Sequence, residues 1–146
     1  MKDVFITSSE EETRNLGKSM ASSAVPGTLL CLSGELGSGK TTFSQGFLEG
    51  MGASRPYISP TFILMKQYEL PRPTDTGIKR VYHADAYRIE GKDFQELGFE
   101  EWREDPKGIV LLEWPERLGE LLPEKRIDIG FAALSENERE ITVTEE

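Results

Sequence analysis

The chain of 146 residues is poor in several things that would define other classes of protein. It has one cysteine, Cys31, so no intrachain disulfide is possible, and a reducing compartment is the natural expectation. It has no apolar run approaching the length that spans a bilayer, which argues against a membrane role. Its first residues, Met1-Lys2-Asp3-Val4, lack a basic segment followed by a long apolar one, so no signal peptide is expected and a cytoplasmic location is. It has no run of basic residues. With 26 acidic against 17 basic side chains the net charge is −9, whereas a protein that grips nucleic acid by itself normally carries a basic stripe. Repeats, low-complexity tracts and linkers are also absent, and the length suits one domain with a real core.

What is present centres on residues 29 to 48. Leu29 to Leu32 is a short apolar run that reads as a buried strand. It leads into G-x-x-x-x-G-K-T, with Gly34, Gly39, Lys40 and Thr41 in register, and then into a helical pattern with Phe43, Phe47 and Leu48 on one face. Strand, glycine loop and helix together make a P-loop. By average residue frequencies the bare pattern arises by chance in about 0.5% of chains this long. Glycines let the backbone approach a polyphosphate, and the loop N–H groups and the helix N-terminus favour an anion. Lys40 adds a point charge for phosphate, and the Thr41 hydroxyl suits Mg²⁺. Glu35, Gly37, Ser38, Gly39, Lys40, Thr41 and Thr42 form the expected nucleotide-binding set.

Around this centre, Val4 to Ile6 reads as a short strand. A helix follows from a hydroxyl-rich start at Thr7-Ser8-Ser9 to about Ala24, with Leu16, Met20 and Ala24 on one stripe. The Ser8-Ser9 corner is a helix cap or a base contact. Gly50 to Pro56 is a loop. The latter half of Ser59-Pro60-Thr61-Phe62-Ile63-Leu64-Met65 is a strand candidate, and its polar start is either a switch that senses the γ-phosphate or a plain turn. Val81 to Arg88, if extended, places His83 and Asp85 on one face. The lone histidine reads as structural. Asp85 at a strand end is more suggestive, because ligands in such folds collect at the carboxyl ends of strands. Asp93 to Trp102 reads as one or two short helices with solvated acidic faces.

Ile109-Val110-Leu111-Leu112-Glu113 is four apolar residues ending in an acid, the Walker B pattern. After a P-loop, such an acid holds Mg²⁺ opposite Thr41, directly or through water. A short helix over Arg117 to Leu122 and two strands, Arg126 to Ala133 and Arg139 to Val143, complete the chain. The expected fold is a single three-layer α/β P-loop NTPase domain with a mostly parallel sheet and antiparallel additions. Three functions compete on these residues: an ATPase within a larger machine, a small-molecule kinase, and a nucleotide switch with negligible hydrolysis. No lid-sized insertion or arginine cluster favours the kinase. No Asn-Lys-x-Asp guanine reader favours GTP, so ATP is the expected nucleotide.

Four segments in order carry a resemblance: Gly34 to Phe43, Ser59-Pro60-Thr61-Phe62, His83-Ala84-Asp85-Ala86-Tyr87-Arg88, and Glu113-Trp114-Pro115-Glu116-Arg117. Over about residues 5 to 130 the chain resembles the bacterial TsaE (YjeE) family, the ATPase component of tRNA threonylcarbamoyladenosine synthesis. Ile63, where threonine or alanine is common in that family, and the Pro71 to Gly77 loop depart from its pattern. The resemblance implies a cytoplasmic, Mg²⁺-dependent ATPase that resets a complex of TsaB and TsaD between turnovers and meets tRNA only indirectly. It implies that Lys40 binds phosphate, that Thr41 and Glu113 hold Mg²⁺, and that Asp85 serves metal or water. Trp114 and the segment containing Ser59 and Thr61 are implied as site wall or switch.

Overall fold

The computed structural model describes residues 1–61 and 63–145. Its architecture follows from alternation along two central strands. In β2 (Leu29–Ser33), Leu30 and Leu32 enter one apolar cluster, while Leu29 and Cys31 enter another. In β5 (Gly108–Glu113), Ile109 and Leu111 join the first cluster, and Val110 and Leu112 the second. Successive side chains of a strand point to opposite faces, so a continuous apolar run requires cover on both sides. Helices provide that cover and make three layers.

On the first face lie α1 (Glu10–Ser23) and α2 (Lys40–Met51). Phe43 and Phe47 of α2 are completely buried there, each burial contributing about 1.5–3 kcal/mol. The two helices pack unusually close. A Cβ on Gly46 would sit 1.9 Å from the Arg14 carbonyl oxygen, and one on Gly17 would sit 2.3 Å from that of Phe43. The second face is covered by α3 (Gly91–Glu96), α4 (Phe99–Glu104) and a 3-10 segment, Pro115–Leu121. Phe94, Phe99, Trp102 and Leu118 fill that cluster.

The sheet has seven strands. In addition to β2 and β5 these are β1 (Lys2–Thr7), β3 (Met65–Glu69), β4 (Arg80–Asp85), β6 (Ile127–Ala133) and β7 (Arg139–Glu145). Their order is β1-β7-β6-β2-β5-β4-β3. The four central strands, β6, β2, β5 and β4, run parallel, and β3, β7 and β1 are added antiparallel at the two sides. This matches the expected α/β class, a parallel centre with antiparallel additions. The register sets Asp85 beside Glu113 and Glu113 beside Leu32, one residue before the end of β2. The carboxyl ends of β2, β4 and β5 therefore meet at one edge.

Several expectations need correction. The strand drawn over the latter half of residues 59–65 begins only at Met65. Leu64 adopts φ 70° and its N–H donates to the Pro60 carbonyl, so the chain turns before it extends; Phe62 lies outside the described residues. In α1 the fully buried stripe is Thr13, Gly17 and Ala21, with Leu16 and Met20 beside it and only partly buried. Close helix contact selects small residues for the line of nearest approach, and bulk flanks it. The segment around Asp93 to Trp102 forms two helices, but their apolar side builds a core rather than serving mainly as a solvated face. The helix over Arg117 to Leu122 is a 3-10 segment that starts at Pro115 and breaks at Gly119, where φ is 50° and ψ −119°.

Candidate functional site

Gly39 stands at the start of α2 with φ 111°, a left-handed conformation open to glycine and costly for other residues. Among the described residues no side chain caps the helix start. Its first N–H groups are therefore available to an acceptor from outside the helix, and the helix dipole favours a negative one.

Lys40 follows at once. It is only 5% exposed, and its Nζ donates to the Gly34 carbonyl at 2.6 Å. The same ammonium lies 3.9 Å from the centroid of the Trp114 ring. Burial lowers the Lys40 pKa, while the charges of Glu113, Glu116 and Asp85 act in the opposite direction. Trp114 itself has φ 59° and ψ 50°, a strained conformation for a bulky residue. Its ring meets Tyr87 at 4.7 Å, and the Arg117 guanidinium lies 5.0 Å from the Tyr87 ring.

The P-loop lysine thus faces two acids from neighbouring strand ends. Asp85 is 2% exposed, and its Oδ1 accepts the Tyr87 N–H at 2.8 Å. Burial raises its pKa most, and the Glu113 charge raises it further; the Tyr87 N–H, the Thr61 side chain and Lys40 pull the other way without cancelling the rise. Glu113 is 5% exposed, and its Oε2 accepts the Nε2–H of His83 at 2.8 Å.

A cavity of about 410 Å³ collects most of these groups. Of the residues singled out by sequence, Gly37, Gly39, Lys40, Thr41, Thr42, Thr61, Asp85, Glu113 and Trp114 line it. Glu35 is exposed, lies outside this lining, and offers its carbonyl to the Ser38 N–H at 3.1 Å. Ser38 is buried, and its Oγ has no hydrogen-bond partner among the described residues. Ser59 lines a smaller cavity of about 130 Å³ that shares Thr41 and Glu113 with the large one.

The fold also brings in residues outside the expected site set. Arg139, at the start of β7, donates from Nη2 to the Gly37 carbonyl at 3.0 Å and from Nη1 to the Ser135 carbonyl at 2.9 Å. It ties the P-loop to the β6–β7 hairpin across 102 positions of sequence, a distance over which no local pattern operates. Arg88 donates to the Thr61 carbonyl. Ser9 caps its helix, its Oγ accepting the Glu12 N–H, and it also lines the large cavity. His83 had one readable signal, its two-residue spacing from Asp85.

The chemistry of the donors fits a polyphosphate with Mg²⁺. Hydroxyl and carboxylate oxygens are hard ligands, and Thr41, Asp85 and Glu113 supply them within one cavity. Among the described residues no group of three or more His, Cys, Asp or Glu side chains converges to cage a metal.

Comparison with known proteins agrees with this geometry. The model of one family, described as "Threonylcarbamoyl adenosine biosynthesis protein TsaE", matches residues 7–141. A protein of Bacillus subtilis (strain 168) named tRNA threonylcarbamoyladenosine biosynthesis protein TsaE is 41% identical over 138 residues, covering 94% of this chain and 82% of that one. A Rickettsia bellii protein of the same name is 35% identical over 143 residues, covering 97% and 94%. Among solved structures, the crystal structure of Bacillus subtilis YdiB superposes with a TM-score of 0.75 at 36% identity, covering 99% of this chain and 86% of that one. With a P-loop fold, a site of this composition and a family match over nearly its whole length, this chain belongs to the TsaE family.

Proposed function

We propose that this chain is a Mg²⁺-dependent ATPase of tRNA threonylcarbamoyladenosine biosynthesis that acts with TsaB and TsaD and resets their complex between turnovers. The observation that carries this reading is the meeting of Lys40 and Thr41 with Asp85 and Glu113 in one cavity. The relatives' names supply the pathway. The net charge of −9 supports partners, rather than this chain, as the holders of tRNA.

In this reading the loop N–H groups and Lys40 bind the β- and γ-phosphates, and Thr41 and Glu113 hold Mg²⁺. When bound, the metal neutralises charge on the phosphate oxygens. Asp85 orients the water that attacks the γ-phosphorus. Its raised pKa suits it to accept the proton as the new P–O bond forms and the bond to ADP breaks. Phosphoryl transfer depends on positioning and charge, so turnover is slow for the chain alone and faster with partners.

The test is copurification with TsaB and TsaD, with and without ATP, together with ATP turnover in their presence. ATP-dependent association and stimulated turnover are the expected results. Failure to associate, with an ADP burst that depends on a small metabolite, would replace this reading with a kinase.

A further inference from the structure

His83 is the only histidine of the chain, and its position is not that of a generic core residue. It lies on β4 two residues before Asp85, and its Nε2 is 2.8 Å from Glu113 Oε2. Both side chains are nearly sealed from solvent, at 4% and 7% exposure. A carboxylate can only accept, so this ring nitrogen carries the proton. The other, Nδ1, is buried and has no partner among the described residues. His83 also lines the small cavity that reaches Thr41 and Glu113. The contact engages Oε2 and leaves Oε1 outside the pair.

A buried, ionisable side chain without a fixed partner is costly and free to rotate. An oxygen ligand for a metal must be oriented by what lies behind it, and loss of such a partner typically lowers metal affinity 10- to 100-fold. We propose that His83 is a positioning residue that clamps Oε2 of Glu113 and thereby presents Oε1 to the divalent cation of a bound Mg²⁺–nucleotide. The inference rests on the reading of Glu113 as a cation ligand given above. It assigns the lone histidine to the site, although its side chain is absent from the lining of the main cavity.

ADP binding measured by calorimetry, in EDTA and across a Mg²⁺ titration, tests it in the full chain. Wild type, Glu113→Gln, His83→Leu and His83→Gln are compared. In EDTA wild type and the two His83 variants bind ADP within about twofold, because the P-loop does that work. Mg²⁺ tightens ADP for wild type and fails to do so for Glu113→Gln. For His83→Leu the Mg²⁺ midpoint rises about tenfold or more, and His83→Gln recovers most of the loss because its amide can donate to the same oxygen. A wild-type Mg²⁺ midpoint in His83→Leu, with the effect of Glu113→Gln intact, overturns the proposal and leaves the assignment of Glu113 standing. A full Mg²⁺ effect in Glu113→Gln overturns both. Since the chain has one histidine, ring-nitrogen NMR of the wild type gives a second reading that does not depend on the variants folding. The His83 signals shift on adding Mg²⁺ to the ADP complex and hold still on adding ADP in EDTA. Signals unmoved by Mg²⁺ reduce the pair to a structural contact and overturn the proposal.

Discussion

Lys40 Nζ lies 3.9 Å from the centroid of the Trp114 ring while it donates to the Gly34 carbonyl at 2.6 Å. Its ammonium is therefore already engaged, by an aromatic face and a carbonyl. In the proposed reading a phosphate must draw it away from both. A cation over an aromatic ring contributes about 0.5–1 kcal/mol when exposed and about 2 kcal/mol when desolvated. Trp114→Leu is therefore expected to tighten ADP binding in EDTA by about threefold to tenfold. Lys40→Ala is expected to weaken it strongly with the fold intact. Calorimetry on both variants checks the pair, and weaker binding by Trp114→Leu would mean that the ring supports the nucleotide instead of competing for the lysine.

Asp85 joins a role in the site to a cost in stability. Its carboxyl is buried and its pKa is raised. The folded state thus binds this proton more tightly than the unfolded state, and the ionised form destabilises the fold at neutral pH. That penalty fades as pH falls through the raised value toward the ordinary carboxylate range. Asp85→Asn is expected to raise the melting temperature at pH 7, and the difference from wild type to shrink toward pH 4. The same variant should bind Mg²⁺–ATP within a few-fold and lose about 10²-fold or more of partner-stimulated turnover. Asn also caps turns well, so normal turnover would reduce Asp85 to the acceptor of the Tyr87 N–H.

Asp105 has the opposite sign. The Arg80 guanidinium, at 2.6 Å, holds its carboxyl well below the usual range; burial opposes this, and the Tyr82 hydroxyl and the Lys107 N–H lower it further. Its contribution is present above the unfolded pKa near 3.9 and is lost as pH falls from there toward the depressed value. Asp105→Asn should melt below wild type at pH 6, with the gap starting to narrow below about pH 4 and closing only toward the depressed value. Thermal melts over that range decide it.

In EDTA Glu113→Gln should bind ATP no more than a few-fold more weakly than wild type, because in the proposed reading backbone N–H groups and Lys40 hold the phosphates. It should also lose single-turnover hydrolysis. Hydrolysis near the wild-type rate in a rapid-quench experiment removes Glu113 from the chemistry.

Gly46→Ala places a methyl 1.9 Å from the Arg14 carbonyl oxygen, where only backbone movement relieves the clash. Overpacking of this kind costs about 1–3 kcal/mol. For a chain of this size that corresponds to a fall in melting temperature of roughly 2–4 °C per kcal/mol, measurable by calorimetry.

Much of this molecule is local in origin. The spacing of Gly34, Gly39, Lys40 and Thr41, the apolar run before them and the phenylalanines after them lie within a single strand, loop and helix. Local sequence is enough to specify such a unit. The same holds for the helix cap at Ser9 and the acid closing the Ile109 to Glu113 strand. Those parts are legible locally because short-range sterics and hydrogen bonding decide them. Phe94, Phe99 and Trp102 were harder to place, since apolar residues amid glutamates become a core only when a sheet face lies opposite.

Which distant groups meet depends on how the strands are ordered and paired. Parallel pairing of β4 with β5 brings Asp85 beside Glu113 and lets His83 reach the Glu113 carboxylate. Antiparallel addition of β7 delivers Arg139 to the Gly37 carbonyl. The left-handed backbone at Trp114 turns its ring beneath Lys40. None of these contacts has a period or spacing, because each depends on strand order and register. Those are set by how both faces of the sheet are buried at once, a property of the whole chain.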